Sequence, residues 1–487
     1  MHLLDRIDRW ARRAPERLAH ISGERALTYG ELVRRSDALA AYLAETLGGD
    51  HTPVVVLGHK EPELLVGYLG AVKAGHPYVP VDTIVPAQRL ERIVALAGAR
   101  LVLTPDQIAA LSADPVPAPR GRRVEGEAPY YILFTSGSTG EPKGVVITLA
   151  NLTVFLDWMV AEHDFAEAET FLNQVPYTFD VSLMDTAVGL VSGGTVFSIR
   201  REDVAVPKRL FQALAASNVT TWVSTPSFAQ VCLAERTFAR PMLPRVRRFL
   251  FCGEVLPPQV VAQLLERFPG AEVWNTYGPT ECTVATTSIK VDHEVLARYS
   301  PLPIGRPMPG VQMPILGPDG APVPPGERGE IIIAGPNVSP GYLGRPDLTA
   351  RAFFELGGQR AYHTGDWGHE QDGLLFCDGR MDNQVKLHGY RIELGDVEAN
   401  LRALPGVQDA VVLPVLKEGV AQWLAAFVIL GPQAPPGSDF ARAQALAAQL
   451  GERVPSYMVP RRFLFVDTFP MTPNGKADRK ALAERLA

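Results

Sequence analysis

Apolar residues fall into short clusters through the first three quarters of the chain, and their spacing alternates between two periods. The runs at 53–57, 78–81, 100–103 and 131–134 are short and nearly continuous, which predicts buried strands. Residues 63–74 and 89–97 instead carry their apolar positions at helical spacing. Strands alternating with helices predict α/β layers, with ligand loops at the carboxyl ends of the strands. From about residue 301 glycine and proline recur every few residues, and the short runs at 330–334 and 374–377 predict a β-rich subdomain. After Asp382 the pattern shifts again: strand-like 384–387, helical 393–404, strand-like 410–414 and 423–430, helical 441–453. The expected architecture is a large α/β N-terminal domain over 1–381, built of several subdomains, and a small α+β C-terminal domain over 382–487.

Composition narrows the class. Hydrophobic residues at 46% and charged residues at 21% exclude a disordered or fibrous chain, and a formal net charge of -6 argues against general nucleic-acid binding. The basic clusters at 120–123 and 245–248 are read as solvated faces. Residues 1–10 lack the basic-then-apolar order of a signal peptide, and no segment approaches the roughly 20 apolar residues of a membrane span. Cys232, Cys252, Cys282 and Cys377 are scattered, without the paired spacing of a zinc site or a disulfide framework. A cytoplasmic protein without membrane insertion is expected.

The chemistry concentrates in a few segments. At 131–145 a strand-like run opens into Thr135, Ser136, Gly137, Ser138, Thr139, Gly140, Lys143 and Gly144. Glycines that free backbone amides to face an anion, four hydroxyls and one ammonium make a phosphate cradle. It is not the common P-loop, because Pro142 precedes the lysine and Gly144 follows it. At 275–281, Asn275 and Tyr277 could read and stack on a base, and Glu281 is a carboxylate suited to magnesium; the competing reading is a tight turn with incidental polar residues. Asp366 follows Gly365 and could bind both hydroxyls of a ribose, although an isolated Gly-Asp pair is usually a turn. Asp180 sits in an apolar, aromatic setting and needs a partner, either a substrate ammonium or backbone N–H groups. Arg380 and Asp382 flank the expected boundary, where a surface ion pair is the plain alternative, and Lys476 lies in a Pro/Gly turn near the C-terminus.

In this order, and together with the segments 27–32, 72–82, 329–335, 341–343, 386–394 and 473–476, the motifs resemble the adenylate-forming superfamily of acyl-CoA synthetases, firefly luciferase and peptide-synthetase adenylation domains. The resemblance spans nearly the whole chain. Within the superfamily, the segments 226–228, 249–257 and 275–283 look most like the D-alanine–D-alanyl carrier protein ligases.

The resemblance implies a two-step ligase. An amino-acid carboxylate attacks the α-phosphorus of ATP, and the aminoacyl adenylate then reacts with the phosphopantetheine thiol of a D-alanyl carrier protein, for D-alanylation of (lipo)teichoic acid in the cell wall. It assigns Thr135 to Lys143 to the β- and γ-phosphates, Asn275, Thr276, Tyr277, Gly278, Pro279 and Thr280 to the nucleotide, Asp366 to the ribose and Arg380 to its support. Glu281 would take magnesium, and Lys476 would bridge the substrate carboxylate and the nucleotide as the catalytic residue. Asp180 would hold the D-alanine ammonium, with Cys252 and Val284 narrowing the side-chain pocket. Asp382 would be the hinge of a rotating C-terminal domain and Gly389 would border the thiol tunnel. A monomer is expected. Segment 381–386 also resembles peptide-synthetase adenylation domains, which leaves an adenylation enzyme for glycine or L-alanine as the alternative, and a non-catalytic nucleotide sensor as a weaker one.

Overall fold

The computed structural model describes residues 2–137, 140–387, 389–417, 420–434, 436–472 and 477–486. Two compact units emerge: one comprises Met1–Asp82, Leu96–Leu133 and Gly144–Met381, the other Thr83–Ala95, Phe134–Lys143 and Asp382–Ala487.

In the larger unit the alternating periods become α/β layers, as expected. A nine-stranded sheet has as its parallel centre the strands Glu272–Tyr277, Arg248–Phe251, Thr221–Ser224, Thr170–Asn173 and Thr195–Ser198, in that order. Period-two alternation loads both faces of this sheet. Trp222, Phe249 and Phe251 pack into one core, and their neighbours Val223 and Leu250 into the other. A second sheet contains Val54–Leu57, Tyr78–Val81 and Leu101–Leu103, parallel to one another and close to the runs read from the sequence. Helix Pro62–Lys73, in this unit, follows one of the two helical patterns, and helix Ala87–Ala97, most of which belongs to the other unit, follows the second. The segment 27–32 owes its form to a capping box: Thr28 accepts from the Glu31 amide while the Glu31 carboxylate accepts from the Thr28 amide, opening helix Tyr29–Leu47.

The β-rich region forms a five-stranded sheet containing Gly329–Ala334, Phe353–Leu356, Gln359–Gln371 and Leu374–Arg380. Its longest strand, Gln359–Gln371, passes the Gly365–Asp366 pair through a bulge, where Gly365 takes a left-handed φ of 67° and the register with Gly329–Ala334 shifts. Antiparallel partners on both sides hold it extended despite its polar sequence, and register shifts absorb the irregularity. One basic cluster also departs from expectation. Arg248 is buried, its guanidinium donating to the His163 carbonyl at 2.5 Å and lying over the Phe165 ring.

In the other unit, Gln384–Leu387 pairs with Tyr390–Glu393, and Val407–Lys417, Val420–Leu430 and Arg462–Phe465 form a three-stranded sheet. Helices Leu394–Arg402 and Asp439–Gly451 cover it through Leu394, Val397, Leu401, Leu446 and Leu450. Among the described residues, no helix is long and apolar enough to cross a membrane.

Candidate active site

Strand Glu272–Tyr277 carries three of the expected nucleotide residues to its carboxyl end. Pairing with Arg248–Phe251 and Thr287–Lys290 fixes its register. Asn275 Nδ2 donates to the Pro303 carbonyl at 2.8 Å and Thr276 Oγ1 to the Phe251 carbonyl at 2.8 Å, so both side chains brace this end of the sheet. Tyr277 Oη donates to Asp366 Oδ2 at 2.5 Å. Burial, reinforced by the Asp366 carboxylate, raises the phenol well above its ordinary pKa, so it remains a donor.

Asp366 and Arg380 are register partners in antiparallel strands, which sets Arg380 Nη1 3.1 Å from Asp366 Oδ1 and 2.7 Å from the Thr364 carbonyl. Asp366 thus lies between a phenol and a guanidinium, with lone pairs to spare for a diol. Gly278 is required by close approach. A Cβ there would meet Ala285 Cα at 2.7 Å and the Val284 carbonyl oxygen at 2.9 Å. Pro279 then leads into a short 3-10 turn, Thr280–Cys282. Glu281 is fully buried, with Oε1 accepting from Tyr342 Oη at 2.8 Å. Among the described residues, no group of three or more potential ligands could hold a metal by itself. The Glu281 carboxylate is the kind of oxygen ligand that a magnesium ion would take alongside phosphate oxygens and water.

The candidate amino-acid residues converge in the same unit. Asp180 opens the 3-10 turn Asp180–Leu183 and is buried, and its charge adds to burial in raising the nearby Tyr131 phenol well above its usual pKa. A Cβ on Gly253 would come within 3.7 Å of Val181, so the segment after Cys252 lies against the Asp180 turn. Cys252 Sγ is 3.9 Å from the Val284 carbonyl oxygen, and both residues are buried.

The loop expected to cradle phosphate, Phe134–Lys143, belongs to the other unit. Ser136 Oγ donates to the Arg391 carbonyl at 3.0 Å and accepts from the Glu393 amide at 3.0 Å, a local role in addition to the one expected. Gly137 cannot carry a side chain, because a Cβ would sit 2.1 Å from the Glu141 carbonyl oxygen. Thr135 closes strand Pro129–Thr135, and Lys143 opens strand Lys143–Thr148. Asp382 Oδ1 accepts from the Gln384 amide at 3.0 Å, and Gly389 turns the chain between the two strands that follow with φ of 86°. Ser138, Thr139 and Lys476 lie outside the described residues.

Sequence reasoning missed a buried polar network beside the Asp180 segment. Lys60 Nζ donates to the carbonyls of Asn173 and Gln174 at 2.8 and 2.7 Å, and Asn173 links Asp185 to Ser198, which reaches His20 and Tyr177. Burial lowers the Lys60 ammonium to about 7 and raises Asp185. Asp185, in the apolar run 181–191, was the available signal; Lys60, among charged and polar neighbours, gave none.

Residues 7–343 match the family described as AMP-binding enzyme, and residues 396–476 match the AMP-binding enzyme C-terminal domain. A D-alanine–D-alanyl carrier protein ligase of Bacillus cereus (strain B4264) is 44% identical over 504 residues, covering 100% of both chains. A ligase of the same name from Bacillus anthracis is 45% identical over 503 residues, again covering 100% of each. Among solved structures, the Vibrio cholerae adenylation domain AlmE in complex with glycyl-adenosine-5'-phosphate has a TM-score of 0.86 at 23% identity, over 99% of this chain and 97% of that one, a likeness of fold. With the family match covering most of its length and relatives alike from end to end, the chain belongs to the AMP-binding enzymes.

Proposed function

We propose that the protein is a D-alanine–D-alanyl carrier protein ligase. It activates D-alanine with ATP and transfers the alanyl group to the phosphopantetheine thiol of a carrier protein, for D-alanylation of (lipo)teichoic acid. The observation that carries this reading is 44–45% identity over the full length of relatives bearing that name. The contact between the buried Cys252 and Val284 accords with it, since these are the two residues that the resemblance places in the wall of a small side-chain pocket.

In the first step a carboxylate oxygen of D-alanine bonds to the α-phosphorus as the bond to pyrophosphate breaks. The obstacle is repulsion between anions, so positioning and fixed charge do most of the catalysis. Asp366 binds the ribose hydroxyls while Tyr277 and Arg380 hold its two oxygens. Asn275, Thr276 and the 278–280 turn shape the base site, and Thr135 to Lys143 cradle the terminal phosphates. Glu281 supplies a carboxylate to magnesium, which when bound offsets triphosphate charge. Asp180 pairs with the substrate ammonium, and Lys476 bridges the reacting carboxylate and the α-phosphate. In the second step the thiol sulfur bonds to the alanyl carbonyl carbon and AMP departs. Asp382 acts as the hinge about which the C-terminal domain, 382–487, turns from the 1–381 body, withdrawing Lys476 and bringing Gly389 to the thiol path. A cytoplasmic monomer accords with this chemistry.

The test is amino-acid-dependent ATP–pyrophosphate exchange with D-alanine, L-alanine, glycine and D-serine. Preference for D-alanine is expected. Preference for glycine or L-alanine would move the protein to peptide-synthetase supply, and no exchange would indicate a sensor. Lys476→Ala is expected to abolish adenylate formation yet largely spare transfer from supplied D-alanyl-AMP; equal loss in both would remove its assigned role.

A further inference from the structure

Immediately after Glu281 and Cys282 the backbone does something β-branched residues avoid. Thr283 and Val284 both lie in the left-handed region, with φ of 60° and 70°. Such a conformation persists only where its surroundings over-determine it. One short loop supplies that constraint, and it comes from the far side of the sequence. Asn337 Nδ2 donates to the Cys282 carbonyl at 2.9 Å and to Thr286 Oγ1 at 3.1 Å, while Thr283 Oγ1 donates to the Asn337 carbonyl at 2.7 Å. Asn337 therefore grips the turn before, within and after its two left-handed residues. The next contact along the loop, Ser339 N to the Glu281 carbonyl at 2.9 Å, anchors the preceding residue.

The loop is itself fixed. Asn151, in the capping box of helix Leu149–His163, donates through Nδ2 to the carbonyls of Pro336 and Val338 at 2.7 and 3.2 Å. Asn337 is fully buried, so its bonds face no competition from water. What the grip controls is the direction of the Val284 carbonyl, which accepts from Cys252 Sγ at 3.9 Å.

We propose that Asn337 is a specificity-determining positioning residue: its carboxamide holds the left-handed Thr283–Val284 turn against Cys252 and thereby sets how large an amino-acid side chain the pocket admits. The inference rests on the reading that Cys252 and Val284 wall the amino-acid pocket. Asn337 touches neither substrate. Releasing it lets the turn relax and the wall recede, while Thr286 N, which donates to the Tyr277 carbonyl at 2.7 Å, keeps the end of the turn tied to the strand that carries Tyr277.

The experiment is pyrophosphate exchange by the full chain with D-alanine and D-2-aminobutyrate, which is larger by one methylene, in wild type, Asn337→Ala, Thr286→Val and Ser339→Ala. One methylene in a fitted pocket is worth about tenfold or more in discrimination. Asn337→Ala is expected to narrow the kcat/KM preference for D-alanine by about tenfold and to raise the amino-acid KM, with the KM for ATP changing less than about twofold. Thr286→Val removes one of the two carboxamide bonds isosterically and is expected to shift the preference in the same direction by a smaller factor. It decides the question if the alanine variant does not fold. Ser339→Ala loses hydroxyl bonds to Val146 and Gly341 in the same loop but none to the turn, and its preference should match wild type. An unchanged preference in Asn337→Ala, or in Thr286→Val if the alanine variant does not fold, would overturn the proposal, as would an equal shift in Ser339→Ala. If wild type prefers another amino acid, the D-alanine reading fails. The same ratio, taken between that amino acid and its next homologue, then tests Asn337 separately.

Discussion

Asp366→Asn tests the ribose assignment most directly, because the structure states what each oxygen of the carboxylate already does. Oδ2 accepts from Tyr277 at 2.5 Å and Oδ1 from Arg380 at 3.1 Å. A carboxylate offers about four lone-pair sites, so acceptor capacity remains for two ribose hydroxyls. In the asparagine variant the amide oxygen must stay toward Arg380, which can only donate, so the NH2 group turns to the Tyr277 oxygen. The variant therefore loses one acceptor oxygen and the negative charge together. Hydrogen bonds to a charged group are worth about 1.5–3 kcal/mol, and neutral ones about 0.5–1.5 kcal/mol. Removing one ribose hydroxyl from the nucleotide should therefore cost wild type about 10- to 150-fold in kcat/KM, and Asp366→Asn only about 2- to 12-fold. The assay is amino-acid-dependent pyrophosphate exchange with ATP, 2′-deoxy-ATP and 3′-deoxy-ATP on both proteins, read as a double-mutant cycle. A coupling of roughly 1 kcal/mol or more is expected for at least one hydroxyl. If the losses simply multiply for both deoxy analogues, Asp366 does not hold the ribose, and its role is confined to bracing Tyr277 and Arg380.

Three further predictions concern the frame of the site. Gly278→Ala would drive a Cβ to 2.7 Å from the Ala285 backbone, so it should lower stability by about 2 kcal/mol and abolish exchange; wild-type melting and activity would refute the packing argument. His20 and His163 are buried, and burial pushes both down to about 3. The unfolded chain binds more protons than the folded one between about pH 3 and 6.5, so their contribution to stability is full above 6.5 and is lost as pH falls. From pH 7.5 to 5 the loss is about 2 kcal/mol per histidine, and His163→Leu should remove its share of the acid sensitivity in chemical denaturation. An unaltered acid limb, or a His163 ring that titrates near 6.5 by NMR, would contradict this. Lys60→Met strands the carbonyls of Asn173 and Gln174 and leaves Asp185 with less compensation, a loss of about 3 kcal/mol. Adding Asp185→Asn should recover part of that loss, and strict additivity of the two changes would show that the pair is not coupled.

Local order was legible in the sequence because it depends on neighbours along the chain. The strands Tyr78–Val81 and Gln384–Leu387 fall at the predicted positions, since apolar period and flanking turns decide them. The glycine and hydroxyl pattern at 135–143 and the ordered motifs identified the chemical class for the same reason: a phosphate cradle needs those residues adjacent. What could not be read was set by partners far away in sequence. Strand Gln359–Gln371 has too polar a pattern to declare itself, and only its neighbours in the sheet carry it past the bulge at Gly365. Tyr277 meets Asp366 across 89 residues, and Asn337 reaches Cys282 across 55. Lys60 stands among charged and polar neighbours in the sequence, and only the fold buries it against the Asn173 and Gln174 carbonyls. The sequence by itself determined which residue types were available to bind a nucleotide and a small amino acid. The tertiary structure decided which of them touch, because hydrogen bonds, burial and a left-handed turn at Thr283–Val284 depend on the path of the whole chain rather than on any local stretch of it.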